Sequence, residues 1–198
     1  MSGWVRKGMM AAAASVLFAS PVWAGAVMKT GAATTQPVGH YDLCQRLPSE
    51  CMQISGSGKP MVLTPKSWAL IQSVNNAANA DIEPITDQDL WGVPELWSYP
   101  QTRGDCEDYV LEKRRQLMDR GVSGHNLLIT VVRQLNGDGH ALLTVRTDRG
   151  DFVLDNLEPS ILLWTKTPYR FLKRQSVQAP GDWVSINDGR APMVGSVN

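Results

Sequence analysis

Between Leu127 and Asp155 the chain reads as three short strands joined by tight turns, which restricts the folds open to it more than any other feature. Leu127 to Leu135 (Leu-Leu-Ile-Thr-Val-Val-Arg-Gln-Leu) is strongly strand-like, dominated by apolar and β-branched residues. Asn136-Gly137-Asp138-Gly139 is a hairpin turn signal, and His140 to Thr147 follows as a second strand. Asp148-Arg149-Gly150 supplies another tight turn before a third strand, Phe152 to Asp155. Further strands are expected near 169–175 and 183–186. Upstream the period changes to helical. Thr64-Pro65 is an N-cap followed by proline at the first helical position, and Trp68, Ile71, Val74, Ala77 and Ala78 recur at helical spacing over 65–79. A second helix starts at Asp105 and runs to Gly121, with Cys106, Tyr109, Val110, Lys113 and Leu117 on one stripe. Helices first and antiparallel strands after them predict an α+β domain rather than a parallel-sheet fold.

The first 24 residues stand outside that domain. Arg6 and Lys7, the short apolar run Gly8 to Ala19 and the small-residue end Val22-Trp23-Ala24 make a secretory leader, too short to span a bilayer. Residues 25–40, rich in Gly, Ala, Thr and Gln, read as a flexible lead-in, and 41–198 as one domain without internal repeats. The leader holds two of the 19 basic residues and none of the 19 acidic ones, so the remainder is weakly acidic. That balance argues against nucleic acid or an anionic membrane surface as partner.

A periplasmic or secreted location makes the cysteine count informative. Cys44 and Cys51 bracket a short loop turned by Pro48 and suit a disulfide. Cys106 is then the odd thiol, at the first turn of a helix. There the free N–H groups and the peptide dipoles favour thiolate, and the cysteine's own N–H is free to hold an oxyanion. An activating base must come from three histidines. His40 falls in the lead-in and reads as solvated, and His125 reads as a loop residue. His140 opens the second strand and is followed by Asp155 on the third. If the turn tip is Asp148-Arg149, Asp155 lies opposite Leu142. It then shares a face with His140 one diagonal step away, roughly 7–8 Å between backbones. The carboxylate can then hold one imidazole nitrogen and leave the other for the thiol. Cys106, His140 and Asp155 are therefore the candidate catalytic residues.

Asp105 and Glu107 flank the thiol and would oppose its ionisation if they pointed at it. Successive side chains on a helix are rotated by about 100°, so both can turn away. One reading is capping by Asp105 and dipole complementation by Glu107 and Asp108; the other is a hard-cation site holding Ca²⁺. The irregular segment 81–103, with three prolines, Trp91 and Trp97, is expected to line a cleft. Trp97, Trp91 or Gln101 could add a second oxyanion donor, although core packing suits each tryptophan as well.

Gly-Asp-Cys-Glu-Asp-Tyr over 104–109 with Lys113, His140-Ala-Leu-Leu-Thr-Val, and Gly150-Asp-Phe-Val-Leu-Asp-Asn-Leu157 together resemble the bacterial transglutaminase-like cysteine peptidases, which include LapG-type periplasmic proteases. The resemblance spans roughly 41–190. It implies a papain-like/transglutaminase-like fold with the nucleophile's helix packed on an antiparallel sheet, and a thioester-forming protease with the triad above. It also implies calcium held by Asp105 and Glu107. As partners it implies a large surface adhesin as substrate and an inner-membrane receptor responsive to cyclic-di-GMP as regulator. The same three residues would equally serve an acyltransferase passing the acyl group to an amine, and a catalytically silent binding module would share the fold.

Overall fold

The computed structural model describes Met1 and residues 27–189; the expected leader over 1–24 otherwise lies outside the described residues. In chain order the elements are β1 (Thr30–Thr34), α1 (Val38–Arg46), α2 (Pro65–Asp81), β2 (Glu83–Pro84), α3 (Asp87–Trp91), β3 (Arg103–Gly104) and α4 (Cys106–Asp119). Then come β4 (Leu127–Arg133), β5 (Gly139–Thr147), β6 (Gly150–Leu154), β7 (Leu162–Leu163), β8 (Arg170–Gln175) and β9 (Trp183–Ile186). The α+β class and the strands expected from alternation and turn signals are present. α2 begins as predicted, with Thr64 accepting from the Ser67 backbone N–H and the Ser67 side chain returning the bond to the Thr64 N–H.

Among the described residues, seven strands form one sheet in the order β1-β9-β8-β4-β5-β6-β7. β4, β5 and β6 are the expected meander, but β8 returns to pair with β4, so the sheet grows from both sides of the first hairpin. Alternation along the central strands separates two apolar layers. Leu127, Ile129, Ala141, Leu143, Val145 and Leu154 meet Ile71, Val74, Val110, Leu111 and Leu117 from α2 and α4. Val132, Leu142, Val153 and Phe171 face the other way, towards Met28, Trp164, Tyr169 and Ile186. Each such side chain contributes about 1.5–3 kcal/mol on burial, which anchors α4 on β5 and fixes where its first residue sits.

The flexible lead-in expected over 25–40 is not what the structure has. Residues 30–34 form edge strand β1 against β9, and α1 begins at Val38. Gly and Ala in this stretch permit extended backbone, and the binding energy comes from a partner strand more than 140 residues away, which local composition does not report. His40, expected to be solvated, is buried between the rings of Trp97 and Trp183, with centroids 5.3 and 5.4 Å away. Beside the local Gln36 amide, 2.6 Å from Nδ1, it has distant partners: the Trp183 indole N–H reaches Nδ1 at 3.3 Å and the Gln175 amide lies 3.1 Å from Nε2. The expected Cys44–Cys51 disulfide is present, Cα atoms 5.7 Å apart, and ties α1 to the short turn at Pro48–Cys51.

Burial, with Arg114 adding to it, lowers the His40 pKa from 6.5 to about 4. Between those values the unfolded chain binds a proton that the folded protein refuses. The contribution is complete above pH 6.5 and is lost as pH falls towards 4. Urea unfolding at pH 7 and pH 4.5 should differ by on the order of 2 kcal/mol more in the wild type than in a folded His40→Gln variant. Equal differences in the two proteins would contradict this account of His40.

Candidate active site

Cys106 is the first residue of α4, as the sequence predicts, and Gly104 explains how the chain enters the helix there. A side chain at 104 would place its Cβ 2.5 Å from Asp108 Oδ2 and 2.7 Å from Asp108 Cβ, so only glycine fits. Asp108 uses its other oxygen to accept the Ser98 backbone N–H at 2.8 Å, holding the 92–102 segment over the helix start. Hydrophobic packing half-buries Cys106. The backbone N–H of Ala141, the residue after His140, acts on the thiol in the direction of thiolate. Burial and then the Glu107 carboxylate act more strongly in the opposite direction and raise the thiol pKa.

His140 and Asp155 meet in the register anticipated for a two-residue tip at Asp148-Arg149. Thr147 pairs with Gly150 and Leu143 with Leu154, which carries Asp155 opposite Leu142 at the end of the ladder. The tip is fastened from outside: Asp148 donates its N–H to the Met61 carbonyl and accepts the Leu63 N–H on Oδ1 at 2.9 Å. His140 Nε2 lies 2.8 Å from Asp155 Oδ1, both side chains almost fully buried. Asp155 Oδ1 also accepts the Leu157 N–H at 2.9 Å, and Oδ2 accepts the Tyr169 hydroxyl at 2.6 Å. Burial alone would raise this carboxyl; the bonds from His140, Tyr169 and Leu157 outweigh it and hold its pKa below the usual value. Asn79 fixes the backbone by donating to the Asp155 carbonyl at 2.9 Å.

The acids beside the thiol do not both turn away from it. Cys106 Sγ donates to Glu107 Oε2 at 3.1 Å. Asp105 occupies the N-cap position without a side-chain capping bond. A third carboxylate that the sequence did not single out lies beside them: Asp87, at the start of α3, converges with Asp105 and Glu107 so that their ligand oxygens lie within 4.8 Å of one another. Burial and mutual repulsion raise the pKa of Asp105 and push Glu107 to about 9; burial likewise raises Asp87. Asp105 Oδ1 is buried with no hydrogen-bond partner. Three crowded oxygen donors, one of them unpartnered, have the chemistry of a hard-cation site, and a cation there would convert repulsion into coordination.

The bacterial transglutaminase-like cysteine proteinase family profile matches residues 30–191. The chain belongs to that family. It is a cysteine peptidase with a transglutaminase-like fold. Solved structures of Legionella pneumophila LapG are similar to it. One is 25% identical with a TM-score of 0.51, covering 59% of this chain and 68% of LapG. Calcium-bound LapG is 24% identical with a TM-score of 0.53, covering 68% and 77%. EGTA-treated LapG is 23% identical with a TM-score of 0.52, covering 64% and 74%. No match is found among curated proteins. Among the described residues, no helix is long and apolar enough to cross a membrane.

In this family member two site neighbours escaped the sequence reading. Tyr169 sits just before β8, where it read as the start of a strand; its ring lies 5.6 Å from the His140 ring while its hydroxyl serves Asp155. Asp87 falls in the segment 81–103 that reads as irregular in sequence; in the structure it follows the Thr86 cap at the start of α3, and its burial sets it apart. The segment 81–103 is ordered by short pairing of β2 with β3 and by Asp87, which accepts the Leu96 N–H. Trp97 packs in the core with its indole on Glu95, whereas Trp91 and Gln101 are exposed. His125 lies in the short turn before β4, as the sequence suggests, and is buried there, its ring nitrogens 2.8 Å from the Val177 carbonyl and 3.1 Å from that of Ser55.

Tyr169→Phe removes one donor from a buried carboxylate and leaves the ring contact. It should lower unfolding free energy by about 1.5–3 kcal/mol, measured by urea titration. An unchanged midpoint would mean that the hydroxyl does not serve Asp155 in solution.

Proposed function

We propose that this peptidase is an extracytoplasmic protease that hydrolyses peptide bonds through Cys106, His140 and Asp155. The observation that carries the reading is the 2.8 Å bond between His140 Nε2 and Asp155 Oδ1, with Cys106 opening α4 and the backbone N–H of Ala141, the residue after His140, favouring its thiolate. With Nε2 engaged, Nδ1 is the nitrogen left to take the thiol proton. Cys106 Sγ attacks the peptide carbonyl, and the free N–H at the helix start stabilises the oxyanion. His140 returns the proton to the leaving amine, and the bond to nitrogen breaks as the thioester forms. Water, deprotonated by the same imidazole, then releases the acid and regenerates the thiol. Asp155 holds the tautomer and balances the imidazolium charge.

Asp87, Asp105 and Glu107 are proposed to hold a calcium ion, a reading supported by the unpartnered Asp105 oxygen and the fold shared with calcium-bound LapG. Such an ion supplies positive charge that relieves the carboxylate cluster beside the thiol. The substrate proposed is a large surface adhesin in the periplasm or outside it, and the regulator an inner-membrane receptor. Both rest on the LapG-type motif over 104–109 together with the secretory leader.

Cys106→Ala should abolish cleavage of an unfolded protein substrate without loss of thermal stability; residual hydrolysis at the wild-type rate would remove the nucleophile assignment. Adding a labelled amine separates hydrolysis from acyl transfer, and incorporation in preference to hydrolysis would overturn the protease reading. Calcium at 100 times its Kd should stabilise the wild type by about 2.7 kcal/mol. Asp87→Asn should reduce calcium affinity at least tenfold by calorimetry, and an unchanged affinity would exclude Asp87 as a ligand.

A further inference from the structure

Lys113 takes no part in the scheme above, yet its side chain is completely buried in the core. Its Nζ has no hydrogen-bond partner and lies 5.8 Å from the centroid of the Tyr109 ring. A lysine so placed is destabilising compared with methionine of similar length, unless its charge acts on something. It sits two helical turns after Cys106 on the same stripe of α4. Burial pushes its pKa down to about 7, and the charge that opposes this shift is the Asp155 carboxylate.

The surroundings of Asp155 show what such a charge would do. Tyr169 and Leu157 are neutral donors, and His140 is a cation only when it has taken the thiol proton. Glu158 is the nearby charge acting on Tyr169, and it is acidic. The charge on protonated His140 lowers the Asp155 carboxyl first; when the imidazole is neutral that charge is gone, and Lys113 of α4 is a buried cation on which Asp155 acts. On α2, Asn79 donates to the Asp155 carbonyl and Asn75 to the Pro159 carbonyl at 3.3 Å. The Oδ1 atoms of both asparagines are buried and without partners, as is the ammonium. Ala78 of α2 and Ile82, which caps its C-terminus, pack on Tyr109, one turn before Lys113, which brings this helix face against the lysine's own. Two spare acceptors and a three-hydrogen donor thus border one short segment that begins at Asp155.

We propose that Lys113 is a positioning residue which, with Asn75 and Asn79, keeps Asp155 ionised and fixed so that it can hold His140. This rests on the triad assignment. The lysine touches no reacting atom, and its effect passes through Asp155 to the imidazole.

The test uses the full-length protein with calcium in excess and the proton resonance of His140 Nε2–H, which depends on an ionised Asp155 and needs no turnover. In Lys113→Met that resonance should be lost on acidification at a pH about one unit or more above the wild-type value, because an opposite charge has been removed. Lys113→Arg should restore the wild-type midpoint. A folded Lys113→Met with the wild-type midpoint would overturn the proposal. Should the variants not fold, the wild type alone decides. A step in the Asp155 carboxyl carbon shift coincident with deprotonation of the Lys113 amine supports the coupling, and no step overturns it. Failure of the protease reading is seen separately, as hydrolysis that survives Cys106→Ala.

Discussion

The pairing register of β5 with β6 is the constraint on which the rest of the site depends. With Thr147 opposite Gly150, the ladder delivers Asp155 to the face and height of His140. A slip of one residue would turn Asp155 to the α4 side of the sheet and separate it from the imidazole. Two features hold the register. Gly150 adopts φ of 119°, a conformation that strains any side chain, and Asp148 ties the tip to the 61–63 segment. Residues far from the chemistry thus decide whether two buried polar groups find each other. Each would be strongly destabilising alone in that interior.

The helix start presents the opposite situation, because its local electrostatics work against the chemistry. Thiolate formation benefits from a helix N-terminus, but burial and the Glu107 carboxylate hold the proton on sulfur. Asp87 and Asp105 deepen the conflict, since carboxylates this close raise one another's pKa. Conflicts of this kind persist in folded proteins where function compensates for them. A cation at the three carboxylates would provide that compensation, and the α3 segment would then be joined to α4 by coordination as well as by the Asp108–Ser98 bond.

Much of this was legible in sequence because it is written in local patterns. The Thr64-Pro65 start, the Asn136 to Gly139 turn, a tight turn at Asp148 to Gly150 and the odd Cys106 each follow from neighbours within a few residues, whereas the choice of Asp148-Arg149 as the tip is made by the ladder itself. What escaped depends on contacts between distant segments. β1 exists because β9 offers an edge, and His40 is dry because Trp97 and Trp183 close over it. Asp87 and Tyr169 are ordinary in their own neighbourhoods and acquire meaning only from the Asp105–Glu107 pair and from Asp155. The expectation that Glu107 would rotate away failed for a related reason. Helical geometry sets the direction of Cα–Cβ, but a long flexible side chain can bend back towards the thiol beside it.

The central claim is that His140, held by Asp155, makes Cys106 the reactive sulfur of this peptidase. Treating the calcium-loaded protein with a peptidyl epoxide and mapping the adduct by mass spectrometry tests it most directly. The account predicts a single adduct on Cys106 in the wild type and none, over the same interval, in a folded His140→Ala variant. Equal labelling of Cys106 in both proteins would contradict it.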